Sequence, residues 1–238
     1  MVSKTSHRIY GDRSPYELPA CSIAEAAAWL ELPIGTVRDW TIGHPRSTHS
    51  SRTSTRPVIV IADAESRMLS FTNLIELFVL RGIRENGVSL QNVRPAVAFI
   101  ERRMGVARPL ANKAMSTDGT DLLIDDEFGR LINVSRQGQL EMRELVLAYL
   151  QRIDRNQEGK AIRLSPFATK LVVDAPKSIV IDPRVQFCRP CLAGSRITTA
   201  AIADRYKGGE SIESLARDFR RTAADVQEAI RFELNRAA

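Results

Sequence analysis

The sequence predicts a mainly α chain with small β elements, laid out as an N-terminal winged helix-turn-helix, a central α+β module and a C-terminal helix-turn-helix-like domain. Three observations predict it. Short amphipathic helical patterns, each opened by a Ser or Thr cap, stand near both ends of the chain. A Ser-, Thr- and Arg-rich stretch follows the first pair, and strand-like apolar runs punctuated by Gly and Asp occupy the middle. The expected boundaries are 1–106, 107–176 and 177–238. With 44% hydrophobic and 26% charged residues, 238 residues carry enough apolar surface for ordered domains, one large or two to three small.

The N-terminal unit opens at Ser22, with Glu25 placed to close a capping box, and puts Ile23, Ala26, Ala27 and Leu30 on one face. Glu31-Leu-Pro33 makes the turn. Ile34 to Trp40 supplies a second helix whose Val37 and Trp40 face inward, while Thr36 and Arg38 face out, where a major groove would meet them. From Thr41 to Ala62 there is no acidic residue, and Arg46, Arg52 and Arg56 stand among hydroxyl side chains with His44 and His49. Guanidiniums and hydroxyls both donate to phosphate oxygens, so the stretch suits a wing, with Val58–Ile61 as its returning strand. The competing reading is a helical hairpin with a solvated face and a polar surface loop.

Two longer helices follow, Phe71 to Glu85 closed by Asn86-Gly87, and Ser89 to about Met104, where Val93, Val97, Ile100 and Met104 share a face and Pro95 should kink or restart the helix. Strands are expected at Asp121–Ile124, Arg130–Ser135, Ala161–Leu164 and Lys170–Val173. A turn is expected at Gln137-Gly138, a helix from Glu141 to Ile153, and a hinge at Asp174 to Lys177. At the C-terminal end, Ser211 caps a stripe of Ile212, Leu215, Ala216 and Phe219. Thr222 with Asp225 caps the next helix, with Val226, Ile230 and Leu234 along it.

Two segments resemble known families. "IVIDPRVQFCRPCLAGSRITTAAIADRYKGGESIESLARDF" resembles domain of unknown function 433, found in bacterial antitoxins similar to VapB that sit beside toxins of the PIN nuclease fold. The chain departs from that pattern at Cys188, where Gly is usual, at Ser195, where Thr is usual, and at Arg220-Arg221, where Gly and an aliphatic residue are usual. "SIAEAAAWLELPIGTVRDW" and "LSFTNLIELFVLRGIRENGVSLQNVRPAV" resemble the DNA-binding domain of MerR-type regulators. That resemblance implies DNA contact by Thr36, Arg38, Arg46, Arg52 and Arg56. The long C-terminal coiled helix of those regulators is missing, since no heptad pattern persists past Met104.

Charge and composition exclude several classes. Lys and Arg outnumber Asp and Glu by fourteen to ten in residues 1–110 and by ten to eight in 178–238, and balance at ten each between them. A pI near 9.5 favours an anionic partner, while 6% aromatic residues argue against a stacking platform for single-stranded RNA. No apolar run is long enough for a membrane span, no signal-peptide core opens the chain, and three cysteines agree with a reducing cytoplasm. The acidic group Asp118, Asp121, Asp125, Asp126 and Glu127 fits no calcium loop. Cys188-Arg-Pro-Cys191 has CxxC spacing but lacks a second ligand pair for zinc and the strand-then-helix setting of a redox site. No catalytic constellation, cofactor site or metal site is read.

The expected protein is therefore not an enzyme. The resemblance of its C-terminal segment implies a homodimeric antitoxin of a type II, VapBC-like system that represses its own operon on double-stranded operator DNA and neutralises a PIN-fold ribonuclease toxin by direct binding. Arg189, Arg196, Arg220 and Arg221 are the candidate toxin or DNA contacts of the last domain. The alternatives are a MerR-like, ligand-responsive transcriptional regulator without a toxin, and a thiol-dependent enzyme built on Cys188 and Cys191. Which helix-turn-helix reads DNA stays open.

Overall fold

The computed structural model describes residues 14–43, 45–48, 51–54, 57–85, 88–116, 136–167 and 176–234. Among them the chain is mainly helical, with four small antiparallel two-stranded sheets. The helices are α1 (Ile23–Trp29), α2 (Ile34–Thr41), α3 (Phe71–Glu85), α4 (Leu90–Met104), α5 (Arg136–Leu150), α6 (Thr199–Lys207), α7 (Ile212–Phe219) and α8 (Ala223–Leu234). The strands pair as β1 (Cys21–Ser22) with β4 (Met68–Leu69), β2 (Pro45–Thr48) with β3 (Ser51–Ser54), β5 (Ile153–Arg155) with β6 (Ala161–Leu164), and β7 (Ile179–Val180) with β8 (Cys191–Leu192). No helix among the described residues is long and apolar enough to cross a membrane.

The chain divides into two compact units, Met1–Leu74 with Ser178–Ala238, and Ile75–Lys177. In the first, β1 and β4 pair Cys21 with Leu69, and the buried side chains of Ile23, Ala26, Leu30, Val37 and Trp40 form the interior of the α1–α2 pair. Asn73, fully buried, is a polar hub. Its Oδ1 accepts from the backbone N–H of Ala62 and Ser70, and its Nδ2 donates to the Val60 carbonyl at 2.8 Å. Buried polar groups persist where every lone pair and proton finds a partner, and this one pins the segment after β3 to the start of α3.

In the second unit the core centres on three rings. Phe78 and Tyr149 lie 4.7 Å apart, Tyr149 and Phe167 5.1 Å, and Phe78 and Phe167 5.8 Å. Gly82 makes this packing possible, because a Cβ there would stand 2.7 Å from Tyr149 ring carbons. The Tyr149 hydroxyl donates to Glu85 at 2.6 Å, and Arg81 pairs with the same carboxylate at 2.8 Å, so the polar edge of the ring is satisfied. Arg152, buried, donates to the carbonyls of Ser165, Pro166 and Pro176 and lies 4.4 Å over the Phe167 ring.

The structure corrects several expectations. Val58–Ile61 is not the returning strand of the wing, because β3 closes the hairpin and the amides of Val58 and Ile59 both donate to the Trp40 carbonyl instead. The helix expected from Glu141 begins at Arg136, takes in the expected turn at Gln137-Gly138, and leaves Ile153 to open β5. A glycine in a first helical turn costs less than one further in, since amides there have no intrahelical partner. Pro95 does not restart α4, which is one helix from Leu90 to Met104. Leu234 is 40% exposed, and the C-terminal core takes Ala229 and Phe232 in its place. The expected strands at Asp121–Ile124, Arg130–Ser135 and Lys170–Val173 lie outside the described residues, as does the acidic group Asp118 to Glu127.

Candidate nucleic-acid interface

The turn between α1 and α2 is built by local chemistry. The Ser22 hydroxyl accepts from the Glu25 amide at 3.2 Å, and the Glu25 carboxylate accepts from the Ser22 amide at 2.8 Å, which completes the capping box. Glu31 takes a left-handed φ of 48°, the Leu32 amide bonds back to the Ala27 carbonyl, and Pro33 opens α2. Val37 and Trp40 anchor α2 inward. Its outer face consists of Ile34, Gly35, Arg38 and Ile42, with Thr36 half-buried at the flank. The Arg38 side chain has no polar partner among the described residues. Sequence reasoning missed Ile34, 42% exposed, and Ile42, 37% exposed; their signal was an eight-residue spacing that falls off the Val37–Trp40 stripe.

The hairpin follows directly. Its register pairs Arg46 with Thr53 and Ser47 with Arg52, so the two arginines occupy ladder positions that belong to opposite faces of the ribbon. Arg56 lies outside the described residues. The chain leaves the hairpin through the two amides on the Trp40 carbonyl, with Ile59 buried and Val60 exposed. Through Trp40 the hairpin is thus fastened to the same helix that carries Arg38.

In the C-terminal segment, Asp182 organises a tight loop before β8. It is buried and accepts from the Arg184 amide at 2.9 Å and, side-on, from Nε and Nη2 of the Arg184 guanidinium, at 3.0 and 2.8 Å. Gln186, Phe187 and Cys188 then take three successive left-handed conformations, with φ of 49°, 52° and 65°. For non-glycine residues each costs about 1–2 kcal/mol. The Arg221 guanidinium donates to the Gly194 carbonyl at 3.1 Å, bracing the turn that carries Arg196. Arg189, Arg196 and Arg220 are exposed and have no side-chain partner among the described residues.

The helical part packs as the caps predict. Thr222 and Asp225 form a capping box at the start of α8, Leu215 is fully buried from α7, and Arg205 of α6 clamps α7 through Glu210 and, at 2.6 Å, Asp218. Arg220 ends α7 with φ 52°, a left-handed cap that glycine fills without strain. Arg220→Gly is therefore expected to raise stability by about 1 kcal/mol. A denaturant midpoint that does not rise would show that the arginine side chain repays the strain through contacts of its own.

The cysteines are buried thiols. Burial first, and the Asp182 carboxylate second, push Cys188 up to about 12 and Cys191 up to about 11, while burial raises Cys21, which also senses Cys188. A buried thiol that stays protonated is a poor nucleophile, so this arrangement does not support a thiol-dependent enzyme. The raised values favour the folded state below the ordinary thiol value of 9.0, and that contribution is lost as pH climbs through 11 to 12. Stability is expected to fall between pH 9 and 11 in the parent and less steeply in a Cys188→Ala, Cys191→Ala variant. Denaturant titrations at pH 7, 9 and 10.5 measure the difference.

The two ends of the chain meet inside the first unit. Tyr16 is raised above its usual value by burial, partly offset by the Arg184 guanidinium, and its carbonyl accepts from the Thr72 amide and hydroxyl.

Against known proteins, residues 19–97 match the family described as "Putative DNA-binding HTH domain", and residues 179–232 match "Protein of unknown function (DUF433)". The chain is 27% identical to "Putative antitoxin VapB45" of Mycobacterium tuberculosis, over 90% of this chain and 94% of that protein. It is 26% identical to "Uncharacterized protein Rv2308" of the same organism, over 87% of each. A crystal structure, described as that of Rv2018 from Mycobacterium tuberculosis, superposes with a TM-score of 0.67 at 20% identity. It covers 90% of this chain and 97% of that one, which shows a shared fold. The chain thus carries a DNA-binding helix-turn-helix match and resembles a protein with an antitoxin name. These matches do not single out the MerR type.

Proposed function

We propose that this chain is an antitoxin that binds double-stranded operator DNA through α2 and the β2–β3 hairpin, represses its own operon as a homodimer, and neutralises a PIN-fold ribonuclease toxin by direct binding. The observation that carries the DNA part is the outer face of α2. Arg38 stands there with no polar partner among the described residues, beside a hairpin whose whole surrounding stretch from Thr41 to Ala62 contains no acidic residue. A helix of this kind reads base edges, while basic residues on a ribbon hold phosphate and set the register. The toxin part draws support from the likeness to an antitoxin-named protein along nearly its whole length.

Arg38→Ala and Thr36→Ala are expected to cost about 1–3 kcal/mol of operator affinity each and to relax specificity at one or two base pairs. Binding curves on an operator fragment and on single-base variants of it measure both effects. A uniform loss across all sequences would reassign the residue to phosphate contact. For the toxin, co-expression with the nuclease-fold product of the neighbouring gene should restore growth and yield a copurified complex. Growth arrest unrelieved by this chain would remove the antitoxin reading.

A second reading has its own observation. A cavity of about 240 Å³, lined by Ile42, Val60, Ile61 and Arg67 among others, lies at the foot of the hairpin. A small organic acid held there would bear on the wing, as a ligand-responsive regulator requires. A ligand that changes operator affinity severalfold, and loses that effect in Arg67→Ala, would favour this reading.

A further inference from the structure

We propose that Phe187, flanked by Arg189 and Arg196, is a preformed docking knob for a protein partner that offers an apolar pocket rimmed by carboxylates. The proposal rests on the antitoxin reading, in which that partner is the toxin. The backbone supplies the first argument. Three consecutive non-glycine residues are held left-handed by the bond from the Val185 amide to the Asp182 carbonyl, by the bond from the Arg189 amide to the Gln186 carbonyl, and by the buried Cys188. Yet the strained conformation buries no ring, for Phe187 stays 72% exposed while Cys188 and Pro190 next to it are buried. Strain kept at a position that contributes nothing to the core points to a role outside it.

Charge supplies the second argument. The Gln186 side-chain amide donates to the Arg196 carbonyl at 3.2 Å, which sets the loop against the turn carrying Arg196. Arg184 is already neutralised by Asp182, whereas the guanidiniums of Arg189 and Arg196 have no partner among the described residues. An aromatic side chain with arginines beside it is the composition of an interface centre, and a loop fixed before binding loses little entropy on docking. A nucleic acid is a poorer fit. Ten basic residues against eight acidic in 178–238 make no broad positive field for a phosphate backbone, and two local charges suit a carboxylate rim.

The test uses the full chain and the nuclease-fold product of the neighbouring gene. Phe187→Ala should weaken the complex at least tenfold, Phe187→Leu should weaken it less, and an Arg189→Glu, Arg196→Glu variant, which leaves the loop backbone as it is, should weaken it tenfold or more. Melting midpoints and the operator affinity of Phe187→Ala should match the parent. If the parent binds the nuclease and Phe187→Ala and the charge-reversed variant bind it equally well, the contact lies elsewhere and only this proposal falls. If Phe187→Ala loses operator affinity but keeps the nuclease, the ring is a DNA wedge. If it turns a dimer into a monomer and keeps the nuclease, the ring meets a second copy. Either result overturns the proposal. A parent that never binds the nuclease overturns the antitoxin reading and this contact together.

Discussion

Replacing Arg46, Arg52 and Arg56 with alanine is expected to weaken binding to operator and to unrelated duplex alike, and to flatten the dependence on salt. Every phosphate deprived of its guanidinium lowers the slope of log affinity against log salt concentration by about 0.9, because the counterions released on binding are the source of that slope. The register of the hairpin sharpens the expectation. Arg46 pairs with Thr53 and Arg52 with Ser47, so the two positions belong to opposite faces of the ribbon. The single variants should therefore differ, one carrying most of the change in slope and the other little of it. Filter binding or anisotropy at several salt concentrations, on operator and on scrambled duplex, measures the slopes. A triple variant with the parent's affinity and slope would remove the hairpin from the interface. A loss confined to operator would make it a base reader.

What could be read from the sequence was local. Ser22 with Glu25, and Thr222 with Asp225, close their capping boxes within four residues, so their signals lie side by side in the chain. The inward pair Val37 and Trp40 followed from helical spacing for the same reason. Contacts made at a distance were not legible. The segment at Val58 returns to the Trp40 carbonyl and is held by Asn73, a polar residue that nothing in a hydrophobic pattern singles out. The left-handed loop lay between these cases. Cys188 and Arg220 stand where the resembling family carries glycine, and both prove to have positive φ, so each departure marked backbone strain that side-chain patterning cannot display. Phe187, one residue earlier, carried no such mark.

Truncation after Lys177 is expected to abolish operator binding even though it leaves the whole DNA-binding match at residues 19–97 in place. Residues 14–74 form one compact unit with 178–238, and about sixty residues alone bury only about 60% of the surface that their unfolded chain exposes. Cys21, fully buried, and Tyr16, half-buried, would lose their neighbours Cys188 and Arg184 with Asp182. The hub at Asn73 and the capping box at Ser22 would remain, but local bonds of this kind contribute about 1 kcal/mol each and do not replace a missing half of a core. Hydrogen exchange is the measurement. Amides of α1 and α2 should lose protection in the truncated chain, while those around the Phe78, Tyr149 and Phe167 cluster, in the other unit, keep theirs. Loss of toxin neutralisation in such a truncation would then say nothing about where the toxin binds, because the N-terminal half would have been damaged as well. Point changes at exposed residues such as Phe187 are the sounder way to find that surface. If residues 1–177 bind operator with the parent's affinity and unchanged protection in α1 and α2, the helix-turn-helix is stable by itself and the packing of the two chain ends is dispensable for it.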